Sequence, residues 1–191
     1  MRDHMSQPIS ITTPLTKDKV RTLKAGDRVL LTGTIYLARD AVHKRLVAAL
    51  DKGEELPIDI RDQIFFYTGP CPPRPGYALG PTGPTTAYRM DPYTPQVLEA
   101  GLTGMLSKGN RTPEVIEAIK KNCAVYLICT AGVGALLCSA IKKYDIVAYP
   151  ELGPEALAVI EVENFPATVG VDCEGNDFYQ MCLDQYAGKV G

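Results

Sequence analysis

Three short stretches of this 191-residue sequence combine a turn with cationic or hydroxyl side chains: ARDAVHKR (Ala38 to Arg45), GPTTAYRMD (Gly83 to Asp91) and SKGNR (Ser107 to Arg111). In the second, a Gly-Pro turn precedes Thr85 and Thr86, and Arg89 follows Thr85 by one helical turn. If Thr85 caps a helix, its hydroxyl and the free backbone N–H groups of the first turn face an incoming anion, with Arg89 on the same side. A carboxylate fits such a place. Arg39, beside a second helix start, offers a planar fork for another carboxylate, and Lys108, in a glycine-containing turn, adds a mobile point charge. Three cations from three loops suit a small dicarboxylate.

Each residue also has a plain structural reading. An arginine near a helix start is commonly a solvated or salt-bridged surface group, and Thr85 and Thr86 can serve simply as caps. His43, in the first turn of its helix, suits a packed or solvent-facing role as well as a proton-moving one. The glycine loop TAGVGA (Thr130 to Ala135) follows a strand but lacks the Lys-Ser/Thr of a P-loop and the spacing of a dinucleotide fingerprint. Close strand–helix packing is the reading it favours.

Composition narrows the classes. A formal net charge of -2, with lysine and arginine spread among the acids, argues against a nucleic-acid binder that relies on a basic face. The six cysteines, at 71, 123, 129, 138, 173 and 182, form no C-x-x-C pair and read as reduced thiols of a cytoplasmic protein. The opening MRDHMSQPIS has no apolar core, so no secretory leader is expected. Ala124 to Ile141 carries no charge and imitates a membrane span. Its interior, a β-rich run to Cys129, a break at Thr130 to Gly134 and then helix-favouring residues, reads instead as a buried strand, a turn and a core helix. No membrane association is expected.

The elements that must position these groups follow from spacing. Length and composition suggest one domain over residues 1–191, with 1–15 as a flexible N-terminal tail. Thr16 caps a short helix through Leu23, and KAGD turns it into the apolar strand Arg28 to Leu37. Asp40 serves as N-cap of an amphipathic helix bearing Val42, Leu46 and Leu50, stopped at Gly53. IFFYTG is a strand, followed by a loop rich in proline and glycine from Gly69 to Pro84. Thr94-Pro95 and Thr112-Pro113 each start a helix, the second with Val115, Ile116 and Ile119 on one face. Strands alternate with helices in the middle, and adjacent strands follow near the end, YDIVAYPELG and then ALAVIEVENFPATVGVD. That order indicates an α/β domain with a mixed sheet.

The ordered set LTGTIYLARDAVHKRL, GPTTAYRMDPY, LSKGNRT, YPELGPEAL and IEVENFPATVGVDCEGNDFYQ resembles the beta subunit, or C-terminal domain, of class I fumarate hydratases, the iron–sulfur type, and of the related L-tartrate dehydratases. The resemblance runs from about Leu23 to Gln180, and RMD, KGNR and YPELG stand closer to fumarase. It implies a swivelling β/β/α three-layer fold and the reversible hydration of fumarate to (S)-malate. It implies a [4Fe-4S] cluster held by an alpha subunit and not by this chain, and hence a hetero-oligomer, with a homodimer as the form of the isolated chain. Arg39, Thr85, Arg89 and Lys108 match the family's dicarboxylate-facing positions, with Thr85 in proton transfer. Asp40 and His43 would orient Arg39 or relay protons, and Thr86 would add a hydrogen bond. Two alternatives stand beside this: the beta subunit of L(+)-tartrate dehydratase, and a non-catalytic phosphate- or nucleotide-binding module using TAGVGA and SKGN.

Overall fold

The computed structural model describes residues 7–187. Seven strands run β1 (Ile9–Thr12), β2 (Arg28–Leu37), β3 (Ile64–Phe66), β4 (Gly104–Ser107), β5 (Val125–Ile128), β6 (Ile141–Ala148) and β7 (Leu157–Val171). Six α-helices accompany them: α1 (Lys17–Thr22), α2 (Asp40–Asp51), α3 (Thr94–Glu99), α4 (Pro113–Asn122), α5 (Gly134–Ser139) and α6 (Phe178–Ala187).

The sheet is mixed. Strands β1 to β5 pair in parallel, whereas β7 runs antiparallel to β2, β5 and β6. Because β7 pairs with both β2 and β5, the strands β2-β3-β4-β5-β7 close into a ring with β6 outside. Alternation then sorts the side chains. Ile64 and Phe66 join Leu31, Ile35, Leu106, Leu127, Ile160 and Phe165 in a core inside the ring. Phe65 and Tyr67 face the other way, onto Val42 and Leu46 of α2, Val97 and Leu98 of α3 and Val115 and Ile119 of α4. The result is an α/β fold with two cores, one between β-layers and one between sheet and helices. Each fully buried large apolar side chain contributes about 1.5–3 kcal/mol, well above the roughly 0–1 kcal/mol of an exposed ion pair. Burial therefore sets the fold.

Several expectations hold at residue level, β2 among them, and some shift. The expected tail 1–15 contains β1, which pairs along β2 from Ile9↔Val29 to Thr12↔Thr32, and Leu15 is fully buried. Residues 1–6 of that tail lie outside the described residues. Gly33, at φ +116, sits where β2 shifts register against β7, and a Cβ there would lie 2.3 Å from Thr13 Oγ1. The apolar run Ala124 to Ile141 resolves into β5, a turn, α5 and the first residue of β6. Among the described residues, no helix is long and apolar enough to cross a membrane.

Candidate active site at the carboxyl ends of the parallel strands

The parallel pairing of β2, β3, β4 and β5 places their carboxyl ends side by side at one edge of the sheet. Here β2 leads through Ala38 into Arg39 and α2, β3 leads into Tyr67 and Thr68, and β4 leads into Lys108. The candidate residues gather at this edge because the pairing of β2, β3 and β4 is parallel.

The Thr85 to Arg89 segment differs from the helix expected there. Thr85 N–H donates to Tyr67 O at 2.7 Å, Ser107 Oγ donates to the Thr85 carbonyl, and Thr86 bridges Lys108 in parallel. Ala87 N–H then donates to Lys108 O at 2.8 Å. Residues 85–87 thus extend the sheet past the ends of β3 and β4. Thr85 caps no helix: one 3-10 turn over Ala87–Met90 follows, with Thr86 at its N-cap and no side-chain cap bond. Four residues are too few to supply a helix-terminus anion site, so side chains must provide the charge. Neither the Thr85 nor the Thr86 hydroxyl has a hydrogen-bond partner among the described residues, and Lys108 has no ion pair there.

On the other side of the segment, Asp40 links two arginines. Arg89 Nε lies 2.9 Å from Asp40 Oδ1, and Arg39 Nε lies 3.7 Å from Asp40 Oδ2. Arg39 Nη2 reaches Glu155 Oε1 at 3.0 Å. Asp40 is the first residue of α2, with Arg39 as N-cap, a shift of one from the expected cap. Arg39 is mostly covered whereas Arg89 is 43% exposed, so Arg89 can turn towards a ligand at small cost. Gly69 packs directly on Arg39, and a Cβ there would lie 2.9 Å from Nη1.

The structure places His43 behind the site. Its ring is fully buried between Phe65 and Tyr67, at edge-on centroid distances of 5.7 and 5.0 Å, and Nδ1 lies 3.0 Å from the Arg39 carbonyl. Desolvation, with Arg111 nearby, lowers its pKa to about 4, so it is neutral at pH 7. Of the roles weighed for His43, the packed one matches a ring with no exposed surface. Its contact is with the backbone that presents Arg39.

Two groups escaped the sequence reading. Glu155 lies in YPELGPEAL, a motif with no role assigned from sequence, and pairs with Arg39, while Glu151 in the same motif pairs with Arg45 on α2. Arg111, the last residue of SKGNR, is buried and pairs with Asp91. The glycine loop, in contrast, behaves as packing: a Cβ on Gly134 would meet Thr82 backbone atoms at 3.3 Å.

A family model described as Fumarase C-terminus matches residues 1–182. The chain belongs to this family. It is 45% identical over 165 residues to "Fumarate hydratase class I, aerobic" of Salmonella typhimurium, covering 85% of this chain and 28% of that protein. "Fumarate hydratase 2" of Leishmania major is 42% identical over 172 residues, covering 87% of this chain and 30% of its own length. A third relative, "Putative L(+)-tartrate dehydratase subunit beta" of Methanocaldococcus jannaschii, is 35% identical over 172 residues, covering 87% of this chain and 88% of its own length. The chain therefore spans under a third of the length of these two fumarate hydratases and most of a protein named as a subunit.

Proposed function

We propose that this chain is the beta subunit of a two-subunit class I fumarate hydratase and contributes dicarboxylate-binding and proton-transfer groups to a site shared with an iron–sulfur alpha subunit. The observation that carries this is the gathering of Arg39, Arg89 and Lys108, with Thr85, at one edge of the sheet. The length relation supports the subunit arrangement, since the relative that this chain nearly spans is named as a beta subunit. The cluster implied by the resemblance is assigned to the partner. Among the described residues, no three or more His, Cys, Asp or Glu side chains converge to hold a metal ion.

The chemistry asks for this arrangement. Hydration joins a water oxygen to one alkene carbon of fumarate and a proton to the other. In the reverse direction, loss of that proton pushes negative charge onto the adjacent carboxylate, so donors fixed in advance stabilise the transition state more than the ground state. Arg39 and Arg89 hold carboxylate oxygens through planar forks, and Lys108 adds a point charge. The unpartnered Thr85 hydroxyl exchanges the proton with the substrate carbon, made acidic enough only by the cations around it. Asp40 sets the two arginines in register, Thr86 adds a hydrogen bond, and His43 fixes the Arg39 backbone. We place the assembly in the cytoplasm.

L-Tartrate dehydration is the second reading, favoured by the archaeal relative. One assay separates the readings: loss of fumarate's ultraviolet absorbance under anaerobic conditions, with the chain alone and then co-expressed with an iron–sulfur alpha subunit, L-tartrate being tested in parallel. Fumarate hydration by the pair alone is expected. Activity of the isolated chain overturns the shared-site reading, and faster turnover of tartrate transfers the assignment.

A further inference from the structure

We propose that Arg111 is a positioning residue that locks the segments carrying Arg89 and Lys108 against each other from beneath the site; this rests on the dicarboxylate reading given above. Arg111 has no exposed side-chain surface. Its Nη2 lies 2.9 Å from Asp91 Oδ1 and donates to Thr94 Oγ1 at 2.7 Å, while Thr94 Oγ1 donates to Met90 O at 2.9 Å. Asp91 Oδ2 accepts Thr112 N–H at 2.9 Å. The guanidinium also lies over two rings, Tyr67 at 5.7 Å and Tyr126 at 5.2 Å.

Every one of these partners leads to a candidate ligand group. Asp91 follows Arg89 by two residues. Tyr67 accepts the Thr85 amide through its carbonyl. The Tyr126 hydroxyl donates to Gly109 O at 2.8 Å, next to Lys108. The two segments are thus tied twice: near Lys108 by the Thr86 bridge and the Ala87 amide, and near Arg111 by the ion pair and the Thr112 amide. Two ties fix both the separation and the rotation of the segments, where one would leave a hinge.

Burying two charges costs so much desolvation that a well-packed apolar replacement is often as stable, so a retained buried pair needs another rationale. Rigid placement of Arg89 against Lys108 is one, because misplacing a binding group by about 1 Å costs on the order of 100-fold in rate. Arg111 is a positioning group and not a ligand group; it acts through Asp91 and the rings beneath the site.

The test uses Arg111→Gln, with the charge-balanced Asp91→Asn/Arg111→Gln double variant carrying the argument where the single one leaves an unpaired buried charge and fails to fold. Amide hydrogen exchange on the full chain reads position independently of activity. The Ala87 and Thr112 amides should exchange about tenfold faster or more, while the Thr13 amide, bonded to Thr32 O at 3.0 Å beside β1, keeps its protection. In the assembled enzyme, kcat/KM for the dicarboxylate should fall about 100-fold, through kcat as well as KM, with Arg111→Lys intermediate because it keeps the charge without the fork. A folded double variant with unchanged Ala87 exchange and unchanged kcat/KM overturns the proposal. If the wild-type pair turns over neither fumarate nor tartrate, the functional reading fails by itself, and Ala87 exchange still decides whether Arg111 locks the segments.

Discussion

The Asp40 carboxylate pairs with Arg89 across the gap between α2 and the 3-10 turn, Oδ1 to Nε at 2.9 Å. Its other oxygen faces Arg39, so one acid holds two cations that would otherwise repel each other. Asp40→Ala releases both. The partly exposed pairs contribute little stability, about 0–1 kcal/mol, yet kcat/KM of the assembled enzyme should fall on the order of 100-fold as the forks lose their register. Unchanged kinetics would mean that the arginines are held by other contacts, Glu155 foremost.

Arg89 itself separates a ligand-binding role from a surface one. It is exposed, and Asp40 is its one ion pair among the described residues, so Arg89→Ala should leave the unfolding midpoint nearly unchanged, within about 0.5 kcal/mol. Turnover should fall by about 100- to 1,000-fold if it binds a carboxylate in the transition state. Arg89→Lys should recover only part of that, since an ammonium lacks the two-point fork. Near-normal kcat/KM in Arg89→Ala would reduce the residue to a solvated charge.

Much of this edge was legible in the sequence, and the reasons for the rest are specific. The strand Arg28 to Leu37 and the helix after Thr112-Pro113 follow local rules, alternation in one case and a proline first turn in the other, and both stand in the structure. Arg39, Thr85, Arg89 and Lys108 were marked by residue type beside turns. The conformation of Thr85 was not, because a Thr-Thr pair after Gly-Pro suits a cap, whereas its actual partners, Tyr67 and Ser107, lie at the ends of strands that only the tertiary pairing brings near. Strand β1 falls within the stretch that reads as tail in the sequence, because its four residues gain their order from β2 rather than from their own pattern. Arg111 and Asp91 lie on separate loops, and no spacing rule connects them. The KGNR run offered the one hint, a cation directly before a helix cap.

His43 gives the fold a pH signature. Its folded pKa of about 4 lies below the ordinary 6.5, chiefly through desolvation, so the unfolded chain binds a proton more readily than the folded one. Stability from this group is complete above pH 6.5 and is lost as pH falls from there through about 4. The difference corresponds to roughly 3 kcal/mol. Urea unfolding at a series of pH values should show that loss, and His43→Phe, which keeps an aromatic ring between Phe65 and Tyr67, should flatten it. An equally steep loss in His43→Phe would assign the acid sensitivity to other groups.

The cysteines should react in the order of their exposure. Cys71 is exposed in the loop after β3, whereas Cys129 is buried and its pKa is pushed up to about 12, first by desolvation. Cys138 is buried too, and its thiol donates to Leu79 O at 2.9 Å. Because the thiolate is the nucleophile, brief alkylation of the native chain should label Cys71 first and leave Cys129 intact until denaturant is added. Peptide mass spectrometry gives the order. Early labelling of Cys129 would show that the end of β5 opens in the native state.

The inner core offers the largest single effect on stability. Phe165 is fully buried inside the strand ring, stacks edge-on with Phe66 at 5.5 Å and sits on β7 opposite Leu31 of β2. It therefore joins the antiparallel strand β7 to the parallel strands β2 and β3. Phe165→Ala removes that contact and leaves a cavity between β-layers held by hydrogen bonds on several edges, which cannot collapse fully, so a loss of about 3–5 kcal/mol is expected. Phe165→Leu, closer in volume, should cost less. Chemical denaturation of the two variants measures the difference, and a loss below about 1 kcal/mol for alanine would mean that the ring interior repacks freely. In that case the edge carrying Arg39, Arg89 and Lys108 would rest on the helix-side core beneath Tyr67 alone.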